Sequence, residues 1–208
     1  MLYEIFDHMH LCTDEAVREM LPLVSEQRRQ QALRYSHTFG RFCCLKSYLM
    51  LLELLSAVYP ELDTSKPEFG YTAQGKPFLL ARPDIHFSIS HTKNAILVAI
   101  SDAPIGVDIE TFRSPSAALI ARTMKATEQA DIAASAAATL EPPATREALF
   151  SAIWTRKEAV LKLRGTGIEG DLKHVLSGSE AIFTRIFPRK SYAFSIAQQA
   201  ISPFEFLH

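Results

Sequence analysis

Two hydrophobic periods alternate along this chain, and the points where one gives way to the other divide it into elements. Leu2 to Leu11 is apolar enough for a first strand. Asp14 to Leu21 follows a helical pattern that ends near Pro22, and Ser25 is placed to cap a second helix running to about Tyr35. Phe39 to Tyr59 predicts the longest helix, with Phe42, Leu45, Leu49, Leu52 and Val58 facing a core and Pro60 as its stop.

From Pro67 the period shortens. Gln74-Gly75-Lys76-Pro77-Phe78 reads as a turn in which glycine permits unusual backbone angles and proline fixes the exit. Ile85 to Ser90 and Ala95 to Ser101 predict a hairpin through His91-Thr92-Lys93-Asn94, and Ile105 to Glu110 a third strand of the same antiparallel sheet. Helical patterns return over Ala117 to Met124 and Thr127 to Ala138, with Pro142-Pro143 as a boundary. Arg146 to Leu163 predicts a long helix ended by Gly165-Thr166-Gly167, followed by strands at His174 to Ser177, Ala181 to Phe187 and Ser191 to Gln199. Helices followed by three strands thus occur twice. This order predicts an α+β fold of two similar halves related by a pseudo-twofold, each with helices packed on a small, mainly antiparallel three-stranded sheet. The expected lobes are residues 1–107 and 108–208, with a site between them.

Composition narrows the class. The 208 residues are 48% hydrophobic and 22% charged, ordinary for a soluble globular protein with a real core. A net charge of -1 offers no global attraction to nucleic acid or to an anionic membrane, so neither is an expected partner. Basic residues do concentrate locally at Arg28, Arg29, Arg34, Arg41 and Lys46. The cysteines, Cys12, Cys43 and Cys44, are odd in number and lack metal-type spacing, which fits a reducing compartment. Met1 to Leu11 is acidic and histidine-bearing, unlike a secretory signal, and the apolar run Tyr48 to Tyr59 is too short to span a bilayer. The expected location is the cytoplasm.

The candidate chemistry sits on two segments. Ile105-Gly106-Val107-Asp108-Ile109-Glu110 is an apolar strand ending in carboxylates two residues apart, hence on one face. In Ile153 to Lys162, Trp154, Glu158 and Lys162 recur at four-residue steps along one helical face, with Lys157 beside them. Three carboxylates and two ammonium groups on adjacent elements suit a divalent cation and a polyphosphate. Mg²⁺, a hard cation that takes one or two protein carboxylates plus phosphate oxygens, matches this donor set, with Mn²⁺ as an alternative. Each feature has an ordinary counterpart: Glu158 and Lys162 as a helix pair, Trp154 as core packing, and the helix-borne arginines as a solvated face. Lys76 alone reads as a solvated turn lysine, and His91 as a hairpin histidine able to meet phosphate.

Four segments, Gly75-Lys76-Pro77, Phe87-Ser88-Ile89-Ser90-His91-Thr92, Ile105 to Glu110 and Trp154 to Lys162, resemble in order and spacing the signature of the 4′-phosphopantetheinyl transferase superfamily. The likeness is to its two-lobed, surfactin-synthetase-activating type, which includes bacterial holo-acyl-carrier-protein synthases of that build. The resemblance implies transfer of the 4′-phosphopantetheine arm of coenzyme A to a serine of an apo acyl- or peptidyl-carrier protein, with release of adenosine 3′,5′-bisphosphate. It implies Asp108, Glu110 and Glu158 as metal ligands and Lys162 at the pyrophosphate. Coenzyme A contacts are implied at Lys76, Pro77, Ser90 and His91, with His91 at the 3′-phosphate and Arg28 and Arg41 near the family's basic residues. Glu158 is the first candidate to take the serine proton, directly or through metal-bound water. A turn after Arg28, where that type carries a second basic residue, this chain has Gln31. A monomer is expected, and Arg156, Lys157 and Arg164 are candidates for a basic rim facing an acidic carrier. The competing readings are a non-catalytic module that binds coenzyme A or a carrier protein, and a metal-dependent nuclease or phosphatase.

Overall fold

The computed structural model describes residues 1–65, 67–135, 145–167 and 172–200. The chain opens with β1 (Leu2–Phe6), then α1 (Asp14–Met20), α2 (Glu26–Leu33) and α3 (Thr38–Val58). A short hairpin, β2 (Phe69–Tyr71) and β3 (Pro77–Leu79), precedes β4 (His86–Thr92), β5 (Ala95–Ser101) and β6 (Ile105–Thr111). There follow α4 (Ala117–Thr123), α5 (Ala126–Ser135), α6 (Arg146–Arg164), β7 (Ala181–Phe187) and β8 (Tyr192–Gln198).

Local chemistry sets these bounds. The hydroxyls of Thr13, Ser25 and Thr145 accept the first free amides of α1, α2 and α6, and Gly165 ends α6 at φ 70°. His37 caps α3, its Nδ1 accepting the Gly40 amide at 3.0 Å. The apolar stripe of α3 buries Phe42, Leu45, Tyr48, Leu51 and Leu55. Leu49 and Leu52 flank it half-buried. Val58, expected in the core, is exposed, one turn past Leu55, the last buried leucine of the stripe.

Two sheets of three antiparallel strands result, ordered β1-β5-β4 and β6-β8-β7. The expectation that β4, β5 and β6 share one sheet fails, because β6 pairs with β8 over its whole length and β1 completes the first sheet. A second correction concerns His174 to Ser177, which lie in a 3₁₀ segment, Leu172–Ser177, rather than in a strand. Each run of the chain therefore has the order strand, helices, hairpin, and each sheet places its last strand between the other two. The end of the predicted Thr127 to Ala138 helix beyond Ser135, and Pro142-Pro143, lie outside the described residues.

Hydroxyl groups, not backbone pairing, join the two sheets. Ser88 Oγ accepts the Val107 amide at 3.0 Å, Ser90 Oγ that of Ile109 at 3.3 Å, and Thr92 Oγ1 that of Thr111 at 3.2 Å. The constant offset means that β4 and β6 run in the same direction, with the side chains of β4 standing in for the missing carbonyls. Behind this seam, Ala95, Leu97 and Ala99 of β5 meet Ile105, Val107 and Ile109 of β6 and Tyr192, Phe194 and Ile196 of β8 in one apolar cluster.

Candidate functional site

Strand alternation sends Ile105, Val107 and Ile109 into that cluster and turns Gly106, Asp108 and Glu110 toward α6. Gly106 lets the helix come close: a Cβ there would stand 2.1 Å from the Ala159 carbonyl oxygen and 2.2 Å from the Leu163 amide nitrogen. The same approach brings Glu158 and Lys162, neighbours of those residues on α6, over the carboxylates of β6.

Asp108 is 5% exposed. Its Oδ1 accepts from Lys162 Nζ and from Ser90 Oγ, both at 2.8 Å. Among the described residues its Oδ2 is buried without a hydrogen-bond partner, and so is Glu158 Oε1. Burial raises the Glu158 carboxyl above its ordinary value, as do the charges of Asp108 and Glu110, while Lys162 and Arg113 pull it down. Burial and Asp108 also raise Glu110, against Arg113, Lys162 and a hydrogen bond from Trp154. Among the described residues, no three His, Cys, Asp or Glu side chains are already gathered into a chelating cluster. The carboxylates form a looser group, with Lys162 as its internal cation and two buried oxygens unsatisfied. Unpaired hard oxygens that repel one another fit a small divalent cation.

Beside them lies a cavity of about 380 Å³, lined by Lys76, Pro77, Phe87, Ile89, Glu158 and Lys162 among others. Gly75 shapes its rim at φ 83°. Lys76 is no freely solvated turn lysine: its Nζ donates to the carbonyls of Ile105 at 3.2 Å and Leu163 at 3.1 Å, tying the start of β6 to the end of α6. Desolvation there lowers its pKa. His91, at the end of β4, stands edge-on to Phe39, and partial desolvation and the Lys162 charge lower its pKa.

The structure thus gathers Asp108, Glu110, Glu158, Lys162, Ser90 and His91 into one neighbourhood, with Lys76 and Pro77 on the adjoining cavity. Arg28 and Arg41 do not line that cavity. The Arg28 guanidinium lies 4.5 Å from the Tyr48 ring centroid, in a small cleft shared with Gln31 and Tyr71. Arg41 Nε donates to the Tyr35 carbonyl at 2.8 Å.

Lys157 corrects an expectation outright. It is 1% exposed, donating to Glu128 Oε2 at 2.6 Å and to the Thr123 carbonyl at 2.7 Å, so it belongs to the interior and not to a basic rim or a phosphate site. Arg164 is committed to Glu180 and the Val175 carbonyl, which leaves Arg156 as the exposed member of the three with no such partner among the described residues. Trp154 proves to be both packing and site wall: it stacks on Phe150, and Arg113 lies 5.3 Å from its ring centroid. Arg113 is hard to place from the sequence because the rings it lies against, Phe150 and Trp154, are more than thirty residues away. Its one local signal is a position three residues beyond Glu110.

Comparison with known proteins bears on the same segments. A family model described as the 4′-phosphopantetheinyl transferase superfamily matches residues 104–200, from β6 through β8. A 4′-phosphopantetheinyl transferase of Bacillus subtilis is 29% identical over 80% of this chain and 71% of its own. The psf-1 4′-phosphopantetheinyl transferase of Bacillus pumilus is 31% identical over 73% of this chain and 62% of its own. The AcpT 4′-phosphopantetheinyl transferase of Salmonella typhi is 36% identical over 48% of this chain and 50% of its own.

Proposed function

This chain belongs to the 4′-phosphopantetheinyl transferase superfamily, and from that premise we propose that it transfers the 4′-phosphopantetheine group of coenzyme A to a serine of an apo acyl- or peptidyl-carrier protein. The serine oxygen forms a bond to the β-phosphorus of coenzyme A, the bond from that phosphorus to the bridging oxygen breaks, and adenosine 3′,5′-bisphosphate leaves. The observation that carries the reading is the buried Asp108, held on Oδ1 by Lys162 and Ser90 and without a described partner on Oδ2, close enough to Glu158, whose Oε1 is likewise unpartnered, for its charge to be felt there.

Each residue then has a task. Asp108, Glu110 and Glu158 would hold Mg²⁺ or Mn²⁺, which when bound supplies positive charge to the pyrophosphate. Lys162 places an ammonium beside the oxygens that gain charge as the bridging bond breaks. Glu158, the carboxylate nearest the reacting oxygens on α6, takes the serine proton on an oxygen not engaged with the cation. Lys76 and Pro77 form the wall against which coenzyme A lies, and His91 offers its imidazole to a phosphate. Arg28 and Arg41 supply basic charge on the helical side. The two lobes, expected as residues 1–107 and 108–208 with that boundary falling inside β6, act as halves related by a pseudo-twofold, working as a cytoplasmic monomer with no nucleic-acid or membrane partner.

Mass spectrometry of several apo carrier proteins, each incubated with this protein, coenzyme A and Mg²⁺, tests the reading. The expected product is heavier by about 340 Da, and Asp108→Ala abolishes it. Binding of coenzyme A without any addition, indifferent to Asp108→Ala, would instead establish a binding module.

A further inference from the structure

We propose that Ser90 is a positioning residue for Asp108, selecting which carboxylate oxygen is left free. The resemblance implies a contact of Ser90 with coenzyme A; in this structure the hydroxyl is turned to β6. Its one proton goes to Asp108 Oδ1 at 2.8 Å, and its oxygen accepts the Ile109 amide at 3.3 Å. Ser90 is 7% exposed and Asp108 5%, so bulk water cannot replace either bond. Lys162 Nζ adds a second donor to the same Oδ1. Two donors on one oxygen and none on the other fix the carboxylate about its terminal torsion, so that Oδ2 is the atom offered to a ligand.

The neighbouring rungs separate this role from simple sheet joining. Ser88 and Thr92 accept amides of β6 in the same way, yet among the described residues neither hydroxyl bonds a carboxylate; Thr92 instead shares a hydrogen bond with the Thr111 hydroxyl at 2.8 Å. Partners that orient a metal ligand are worth about 10–100-fold in affinity or activity.

The proposal rests on reading Asp108 as a cation ligand, and its test uses Mn²⁺ as the probe so that turnover is not the sole readout. Free Mn²⁺ is followed by electron paramagnetic resonance, coenzyme A binding by calorimetry in EDTA, and kcat by carrier modification. Ser90→Ala should weaken Mn²⁺ binding and lower kcat, each about 10–100-fold, while coenzyme A affinity in EDTA changes less than about twofold. Ser90→Thr, which keeps the hydroxyl, should recover most of both. Thr92→Val should lose stability yet keep Mn²⁺ affinity and kcat within about twofold. Should Ser90→Ala fail to fold, Ser90→Cys keeps the volume with a weaker donor and must move both readouts in the same direction. Unchanged Mn²⁺ affinity with weakened coenzyme A binding in Ser90→Ala would overturn the proposal, as would equal losses in Ser90→Ala and Thr92→Val. A wild-type protein that modifies no carrier but loses Mn²⁺ on Ser90→Ala would sink the transferase reading and uphold this one.

Discussion

Gly106→Ala should damage both stability and activity, and for one cause. The new methyl would lie 2.1 Å from the Ala159 oxygen and 2.2 Å from the Leu163 nitrogen, more than an ångström inside the 3.4 Å of ordinary contact. Both obstacles are main-chain atoms of α6, so no rotamer change relieves them, and the helix must lift from β6. Overpacking commonly costs about 1–3 kcal/mol. With two rigid obstacles, the upper end, about 3 kcal/mol, is expected. The same lift lengthens the 2.8 Å bond between Lys162 and Asp108 and withdraws Glu158. A misplacement of about 1 Å can cost about 100-fold in rate. Urea denaturation would measure the first effect, and carrier modification well below the variant's melting temperature the second. Gly75→Ala is the matched control: its φ of 83° strains alanine, but no described residue lies within 4 Å, so about 1 kcal/mol is expected from conformation alone. A Gly106→Ala protein within about 0.5 kcal/mol of wild type, or one destabilised yet fully active, would refute the idea that the close approach of α6 assembles the site.

Three further outcomes follow from the ionisable groups. Lys157→Met should cost about 3–5 kcal/mol in urea, because it strands Glu128, and Lys157→Met with Glu128→Leu should recover much of that; a double variant no better than the single would contradict the pairing argument. The Glu158 carboxyl is raised above its ordinary 4.5, so its contribution to stability is intact below that pH and lost as pH climbs through the raised value. In EDTA, Glu158→Gln should therefore gain stability over wild type as pH rises above about 4.5, and a difference that does not vary with pH would count against it. His91 is held below its ordinary 6.5, so the preference for coenzyme A over 3′-dephospho-coenzyme A should grow as pH falls beneath that value and vanish in His91→Ala. A ratio of kcat/KM values that stays flat with pH would remove His91 from the phosphate.

Sequence period and punctuation sufficed for most elements. The caps at Ser25 and Gly165, the stop at Pro60 and the alternation through Asp108 and Glu110 are local, so the residues that cause them are also the ones that display them. What escaped depends on partners distant in sequence. Nothing near His174 distinguishes a 3₁₀ turn from a short strand, and nothing near Ile105 says that its partner is β8 rather than β4. Lys157 and Lys162 look alike on one helix, yet one faces Glu128 in the interior and the other Asp108 at a cavity, because a five-residue step turns the helix well past the shared face. The serine and threonine alternation of β4 was visible as a strand pattern, but its purpose was not. Hydroxyls at every second position look like a solvent face until β6 is laid beside them, where they are buried or half-buried against its amides. A seam made of side chains tolerates no shift of register, since moving β4 by one residue would replace Ser90 with an apolar neighbour or with His91 and leave Asp108 held by Lys162 alone. The device that joins the two sheets and the device that orients the site's most buried carboxylate are therefore one row of atoms.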